Sequence, residues 1–297
     1  VLFCIGVAVR AQEAPEPISE AAFVKLLKGE GDWALITALS DEQATRLARF
    51  GGVTIEEKHL AVFDGDKSML GRRPVLPLNR LAAVTDEQLQ HTATFRGELY
   101  LDGLAELTNS QAIILGHFRG TALSLNGISQ LTDAQALALG RVKCQRLYLN
   151  GLKEINDLQA QAIGKQSGRE LYLNGLQELT DGQLASLTAF RGDTLSLSGL
   201  RQLTNAQVEA LSSFKGRYLY LEGLESISDD QAPLVAKYRI QALRLKGLRR
   251  INENQAEGLA RFRGGSINLD GLTEISKGVA GHLARFSGTS LSLNGVE

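Results

Sequence analysis

The chain has 297 residues, 43% of them apolar, and a formal net charge of −1. That composition supports a folded, soluble chain but shows no basic excess of the kind a nucleic-acid footprint needs. With only two cysteines there is no disulfide framework to brace it.

Residues Val1 to Val9 form an apolar run too short to span a bilayer. It leads into Val9-Arg10-Ala11, with small or β-branched residues at −3 and −1 of a cleavage point, and then into the polar Gln12-Glu13-Ala14-Pro15-Glu16-Pro17. Residues 1–11 therefore read as the remnant of a secretory signal peptide lacking its basic start, and 12–17 as a linker; a buried N-terminal strand is the alternative. Export would place the protein outside the cytoplasm, whether secreted, periplasmic or at the cell surface, and a cut after Ala11 would leave Cys144 unpaired.

Ile18 to Leu27 is amphipathic and predicts a helix ending near Gly29. Leu39 to Phe50 matches the helical half of later segments, and Val53-Thr54-Ile55 and Leu60-Ala61-Val62 are candidate strands beside a turn-rich insertion from Asp64 to Pro77. Residues 18–80 are expected to form an irregular N-terminal cap with degenerate repeats, since end units of repeat proteins are usually atypical. Asp64-Gly65-Asp66-Lys67-Ser68 resembles the start of a calcium loop. Met69 stands where such a loop needs its glycine and the closing Glu is lacking, so no metal is expected.

From residue 81 to 297 the chain is regular. Leu147-Tyr148-Leu149-Asn150-Gly151-Leu152 returns as Leu171 to Leu176, and glycines recur every 24 residues from Gly103 to Gly295. A fixed period of this length marks one supersecondary unit stacked on copies of itself. Each copy has a strand half, Leu-x-Leu-x-Gly-Leu, whose alternation puts the leucines on one face. Its other half opens on a capping box such as Thr132…Gln135 or Thr180…Gln183, with Asn156 and Asn252 as variant caps, and often an Asp directly after the cap. The helices are expected to close at Phe118-Arg119-Gly120, Phe190-Arg191-Gly192 and their equivalents, with Gly as a left-handed terminal residue and the basic side chain at the negative helix end. The Phe column reads as core rather than as an aromatic binding stripe.

Strand, turn, capped helix and return in 24 residues resembles a leucine-rich repeat protein, most closely its cysteine-containing class with Leu in place of Cys. The Leu147-x-Leu149 pair matches the middle of the family's strand segment, and Leu131-Thr132-Asp133 its continuation. The resemblance implies an α/β fold: a right-handed leucine-rich-repeat solenoid, or horseshoe, with a parallel concave sheet and convex helices. The family's Asn position falls on Leu152 and its equivalents, so the buried Asn ladder is expected to be absent. The Gly column would then serve either positive φ or close approach between coils.

The strand positions between the leucines project from the sheet, and five of the six tyrosines are among them. Tyr100, Asp102, Asn126, Arg146, Tyr148, Asn150, Tyr172, Asn174, Tyr218, Tyr220, Glu222 and Arg244 are the candidate partner-binding residues. Tyr suits a binding surface, and equally a stacked ladder with good strand propensity. Scattered histidines, no paired-Cys zinc spacing and no nucleophile motif point away from catalysis and from any cofactor. The resulting expectation is a non-catalytic, exported module for protein–protein interaction. Glycan or cell-wall binding through the Tyr/Asn strip is a second reading, and a sensor or spacer part of a larger protein a third. No nucleic acid and no membrane span are expected. The chain stops just after a strand, which predicts C-terminal truncation or end-to-end self-association through the uncapped coil.

Overall fold

A computed structural model gives the arrangement of residues 16–54 and 74–296. The N-terminal apolar run, the segment from Asp64 to Ser68 and the candidate strand at 60–62 lie outside the described residues.

Two helices, α1 (Glu20–Leu27) and α2 (Asp41–Arg49), flank a 3-10 turn at Trp33–Leu35 and precede the short strand β1 (Val53–Thr54). Strand and helix then alternate: β2 (Pro74–Pro77), α3 (Asp86–Thr92), β3 (Glu98–Tyr100), α4 (Asn109–Gly116), β4 (Ala122–Ser124), α5 (Asp133–Leu139), β5 (Arg146–Tyr148) and α6 (Asp157–Gly164). The series continues with β6 (Glu170–Tyr172), α7 (Asp181–Leu187), β7 (Thr194–Ser196), α8 (Asn205–Leu211), β8 (Tyr218–Tyr220) and α9 (Gln231–Val235). It ends with β9 (Ala242–Arg244), α10 (Glu253–Ala260), β10 (Ser266–Asn268), α11 (Lys277–Leu283) and β11 (Ser290–Ser292). Among the described residues all eleven strands lie in one sheet in sequence order; β1 is antiparallel to β2 and every later pair is parallel. This is an α/β solenoid, leucine-rich-repeat-like in its coil. Strands sit about 4.8 Å apart whereas packed helices need about 8–10 Å, so the helices take the outer side of the stack and the sheet the inner.

The leucines behave as their alternation requires. Leu147, Leu149 and Leu152 are fully buried, as are Leu171, Leu173 and Leu176 one coil on, so the sheet's inner row and the turn after it form one continuous core. Phe118, Phe190, Phe214 and Phe262 are buried in the same core at the helix ends. Tyr238 takes that slot in its coil and turns its hydroxyl to the Val208 carbonyl at 2.9 Å.

The capping glutamines do more than cap. Gln135 accepts from the Thr132 amide through Oε1 at 2.7 Å, and its Nε2 donates to the Leu107 carbonyl of the preceding coil at 2.6 Å. Gln159, Gln207, Gln231 and Gln255 repeat both bonds, to Leu131, Leu179, Leu203 and Ile227. Each otherwise orphaned carbonyl between coils thereby gains a donor, as a buried backbone group must. The same device ties the irregular start to the stack: Gln43 donates to Ile18 at 2.8 Å and Gln88 to Leu39 at 2.9 Å.

One expectation about glycine is overturned, and one left open between two alternatives is decided. Of the described glycines only Gly29, just past α1, and Gly52 have positive φ, so the glycines that follow the Phe column, such as Gly120, Gly192 and Gly216, are not left-handed caps. They are small because a Cβ at Gly216 would lie 2.2 Å from the Phe214 ring and 2.6 Å from the Gly192 carbonyl oxygen. The strand-side column likewise answers to close approach: a Cβ at Gly151 would lie 2.1 Å from the Asn126 oxygen. Glycines that lack this reason are improvable. Gly182 in α7 and Gly281 in α11 have φ outside the left-handed region, with nothing nearer than 3.9 Å to a Cβ at Gly182 and nothing within 4 Å at Gly281. Gly182→Ala and Gly281→Ala should each raise stability by about 0.5–1 kcal/mol, read as a shift in urea midpoint.

Candidate functional site

The face of the sheet away from the leucine core carries the candidate partner-binding side chains. The parallel register stacks Glu98, Ala122, Arg146, Glu170, Thr194 and Tyr218 in one column. Tyr100, Ser124, Tyr148, Tyr172, Ser196 and Tyr220 stack in the next. Large residues thus alternate with small ones on β4 and β7, and the large ones close over the small.

At the N-terminal end this closure is complete. Arg146 of β5 reaches across Ala122 to form an ion pair with Glu98 of β3, with side-chain exposures of 17% and 3%. Tyr100 donates its hydroxyl to the other oxygen of Glu98 at 3.1 Å. Tyr148 leans across Ser124 to stack on Tyr100, centroids 6.5 Å apart. Ala122 and Ser124 are fully buried beneath them although they sit on the open face. Burial, then the Glu98 carboxylate, pushes the Tyr100 phenol well above its ordinary value. Burial likewise pushes Tyr148 up to about 12, against the lowering influence of Arg146. Tyr100 itself is 7% exposed, so it belongs to this sealed layer more than to a contact surface. Sequence alone did not reveal a side chain reaching over two coils; the signal was the small pair Ala122/Ser124 between Glu98/Tyr100 and Arg146/Tyr148.

Tyr148 and Tyr172 stack face to face, centroids 4.6 Å apart and planes 17° apart. Tyr172 donates to Glu170 at 2.8 Å, and burial followed by its neighbours Tyr148 and Glu170 raises its phenol. On β8, Tyr220 lies under the Arg244 guanidinium at 4.2 Å, and Arg217 sits 5.6 Å from the Tyr218 ring. Glu222 holds Arg244 at 3.3 Å and Lys246 at 3.8 Å. Tyr148, Tyr172, Tyr218, Tyr220, Glu222 and Arg244 all keep partial exposure.

Leu152 and its equivalents fill the family's Asn position with core, as expected, but the polar column beside the tyrosines forms a different inter-coil side-chain ladder, two residues earlier, at Asn126, Asn150 and Asn174. The Asp102 carboxylate accepts from the Asn126 amide at 2.8 Å, Asn126 from the Asn150 amide at 3.0 Å, and Asn150 from the Asn174 amide at 3.0 Å. Asn174 accepts from Ser198 at 3.0 Å and Ser198 from Glu222 at 3.3 Å, where the series breaks at Lys246. Asp270 restarts it with Asn294 at 2.9 Å, and the Ser292 hydroxyl and Asn294 amide together hold its carboxyl down to about 2. The oxygens of these side chains therefore belong to the scaffold. In Asn150 and Asn174 the Nδ2 groups make no protein hydrogen bond among the described residues and remain donors.

Cys144 is buried, donates to the Arg146 carbonyl at 2.9 Å and has its thiol pushed up to about 12 by burial. A thiol so placed is a packing group, not a nucleophile. Among the described residues no three His, Cys, Asp or Glu side chains are grouped to hold a metal ion, and no helix is long and apolar enough to cross a membrane.

No family model matches the sequence, and no curated protein matches it. One similar solved structure is a chain of the Toll–Spatzle complex, titled a molecular hub in Drosophila development and innate immunity, at 11% identity and a TM-score of 0.46. The match covers 69% of this chain and 27% of that one, so this chain spans about a quarter of the other's length.

Proposed function

We propose that the protein is a non-catalytic binding module, working outside the cytoplasm, that takes a protein partner on the sheet face between β5 and β9. The observation carrying this reading is the partly exposed set Tyr172, Tyr218, Tyr220 and Arg244, next to the unspent amide donors of Asn150 and Asn174. Aromatic and Arg side chains held rigid by their neighbours are the anchors that protein interfaces favour. The face from β3 to β5 is sealed by its own contacts and serves as the rigid support.

A glycan is the weaker occupant of this face. A sugar ring packs on the flat of an aromatic ring, but Tyr148 and Tyr172 turn their flats to each other and Arg244 covers Tyr220. What the strip offers is ring edges, hydroxyls and a cation, which suit a polypeptide.

The test is capture of secreted proteins on the immobilised chain, followed by affinity measurement for the recovered partner. A Tyr172→Ser/Tyr220→Ser/Arg244→Ser variant should bind at least roughly thirtyfold more weakly, as loss of interface anchors does, with its circular dichroism unchanged. Equal binding by a folded variant would remove the sheet face from the account, and competition by free sugars would reassign it to glycans.

A further inference from the structure

The solenoid's two rims differ in charge, a fact that the net charge of −1 hides. The nine connections leading from a helix end into the next strand, from the one after α3 to the one after α11, contain fourteen Lys and Arg residues and a single acid, Asp193. Every connection carries at least one cation, and all fourteen are exposed. The compensating acids, such as Asp133, Asp157 and Asp181, stand at the opposite rim, where the helices begin.

Complementing the helix ends does not account for this row. A helix C-terminus is worth about half a negative charge, so nine ends offset roughly a third of it. Arg119 is spent in this way, donating to the Gly116 and Phe118 carbonyls at 3.2 and 2.8 Å. Three others have acidic partners: Arg169 with Asp193, Lys237 with Glu209 and Arg261 with Glu257. The remaining cations, including Lys143, Lys165, Arg191 and Lys215, have no acidic partner among the described residues. Two hollows open along the same rim. One, of about 310 Å³, is lined by Arg96, His117 and Arg119; the other, of about 480 Å³, by Lys165, Ser167 and Arg191.

We propose that this rim binds a linear polyanionic polysaccharide laid along the solenoid axis, across the edge rather than the face of the sheet. The cations recur once or twice per coil, between the strand spacing of about 4.8 Å and the helix spacing of about 8–10 Å. Such a row fits a polymer with regularly repeated anionic groups better than any compact ion. Behind the rim Phe95, Phe118, Phe190, Phe214 and Phe262 are buried and Phe286 is half-buried, so among the described residues no exposed row of Phe rings lines it; single-stranded nucleic acid, which is held by base stacking, is therefore the poorer fit.

The probe is heparin, with the full chain at several salt concentrations. A Lys143→Glu/Lys165→Glu/Arg191→Glu/Lys215→Glu variant should lose at least roughly tenfold in affinity and show a shallower salt dependence, as fewer counterions are released. A control with the same change in net charge on the opposite rim, Lys153→Glu/Arg201→Glu/Arg249→Glu/Lys277→Glu, should stay within about twofold of the parent. If the rim variant does not fold, both sets of four positions changed to Gln give the same charge-matched comparison. Equal losses in the two variants, no heparin binding by the parent at 150 mM salt, or binding of duplex DNA as tight as that of heparin would each overturn the proposal.

Discussion

Arg146→Met should destabilise the protein by about 3–5 kcal/mol, the cost of leaving a buried carboxylate without its counter-charge. Glu98 is nearly inaccessible, with a side chain 3% exposed, and takes Arg146 on one oxygen and Tyr100 on the other. Removing the guanidinium leaves a charge that water cannot reach and one neutral phenol cannot balance. Glu98→Leu in the same chain should recover most of the loss, because two apolar side chains can replace a buried ion pair at little net cost. What stays lost is the Tyr100 hydrogen bond, about 1 kcal/mol. Urea denaturation of the single and double variants reads both numbers. A single-variant loss below about 1 kcal/mol would mean that the pair behaves as a surface salt bridge. The same cycle bears on function, since Ala122 and Ser124 are kept dry only while Arg146 and Tyr148 lie over them.

That bridge also shows where the sequence stops being legible. Features set within one coil were readable from it: the strand alternation, the capping boxes, and Phe118 or Phe190 as core. Each depends on neighbours a few residues away or on a simple column. Features set between coils were not. The Gln135 side chain looks the same whether its second bond goes to water or to Leu107, and Asn150 looks free until Asn174 is seen donating to it. Arg146 is further removed still, because its partner lies 48 residues back and only the gap left by two small residues hints at it. The charged rim is legible only after folding, since its cations and the opposing acids alternate along the chain and separate in space.

The 24-residue glycine column makes the sharpest case, and Gly151→Ala should cost about 3 kcal/mol or more. The added carbon would meet the Asn126 oxygen at 2.1 Å and the Ile128 oxygen at 2.6 Å, both backbone atoms of the preceding coil. No side chain can swing aside, so the two coils must part. Parting them stretches the Asn150 amide bond to Asn126, at 3.0 Å, and shifts the Leu152 packing. Asn separates the two explanations for the column. If Gly151 supplied left-handed backbone, Gly151→Asn would be nearly neutral, as Asn tolerates that region. Because the constraint is space, Asn should be at least as damaging as Ala. Stability in a solenoid is a sum of coils and their interfaces, so the damage should also be local. Hydrogen exchange should speed at the amides of β4 to β6 in either variant, while those of β9 and β10 keep their protection. Uniform loss along the stack would mean that the glycine acts on the whole fold rather than on one interface.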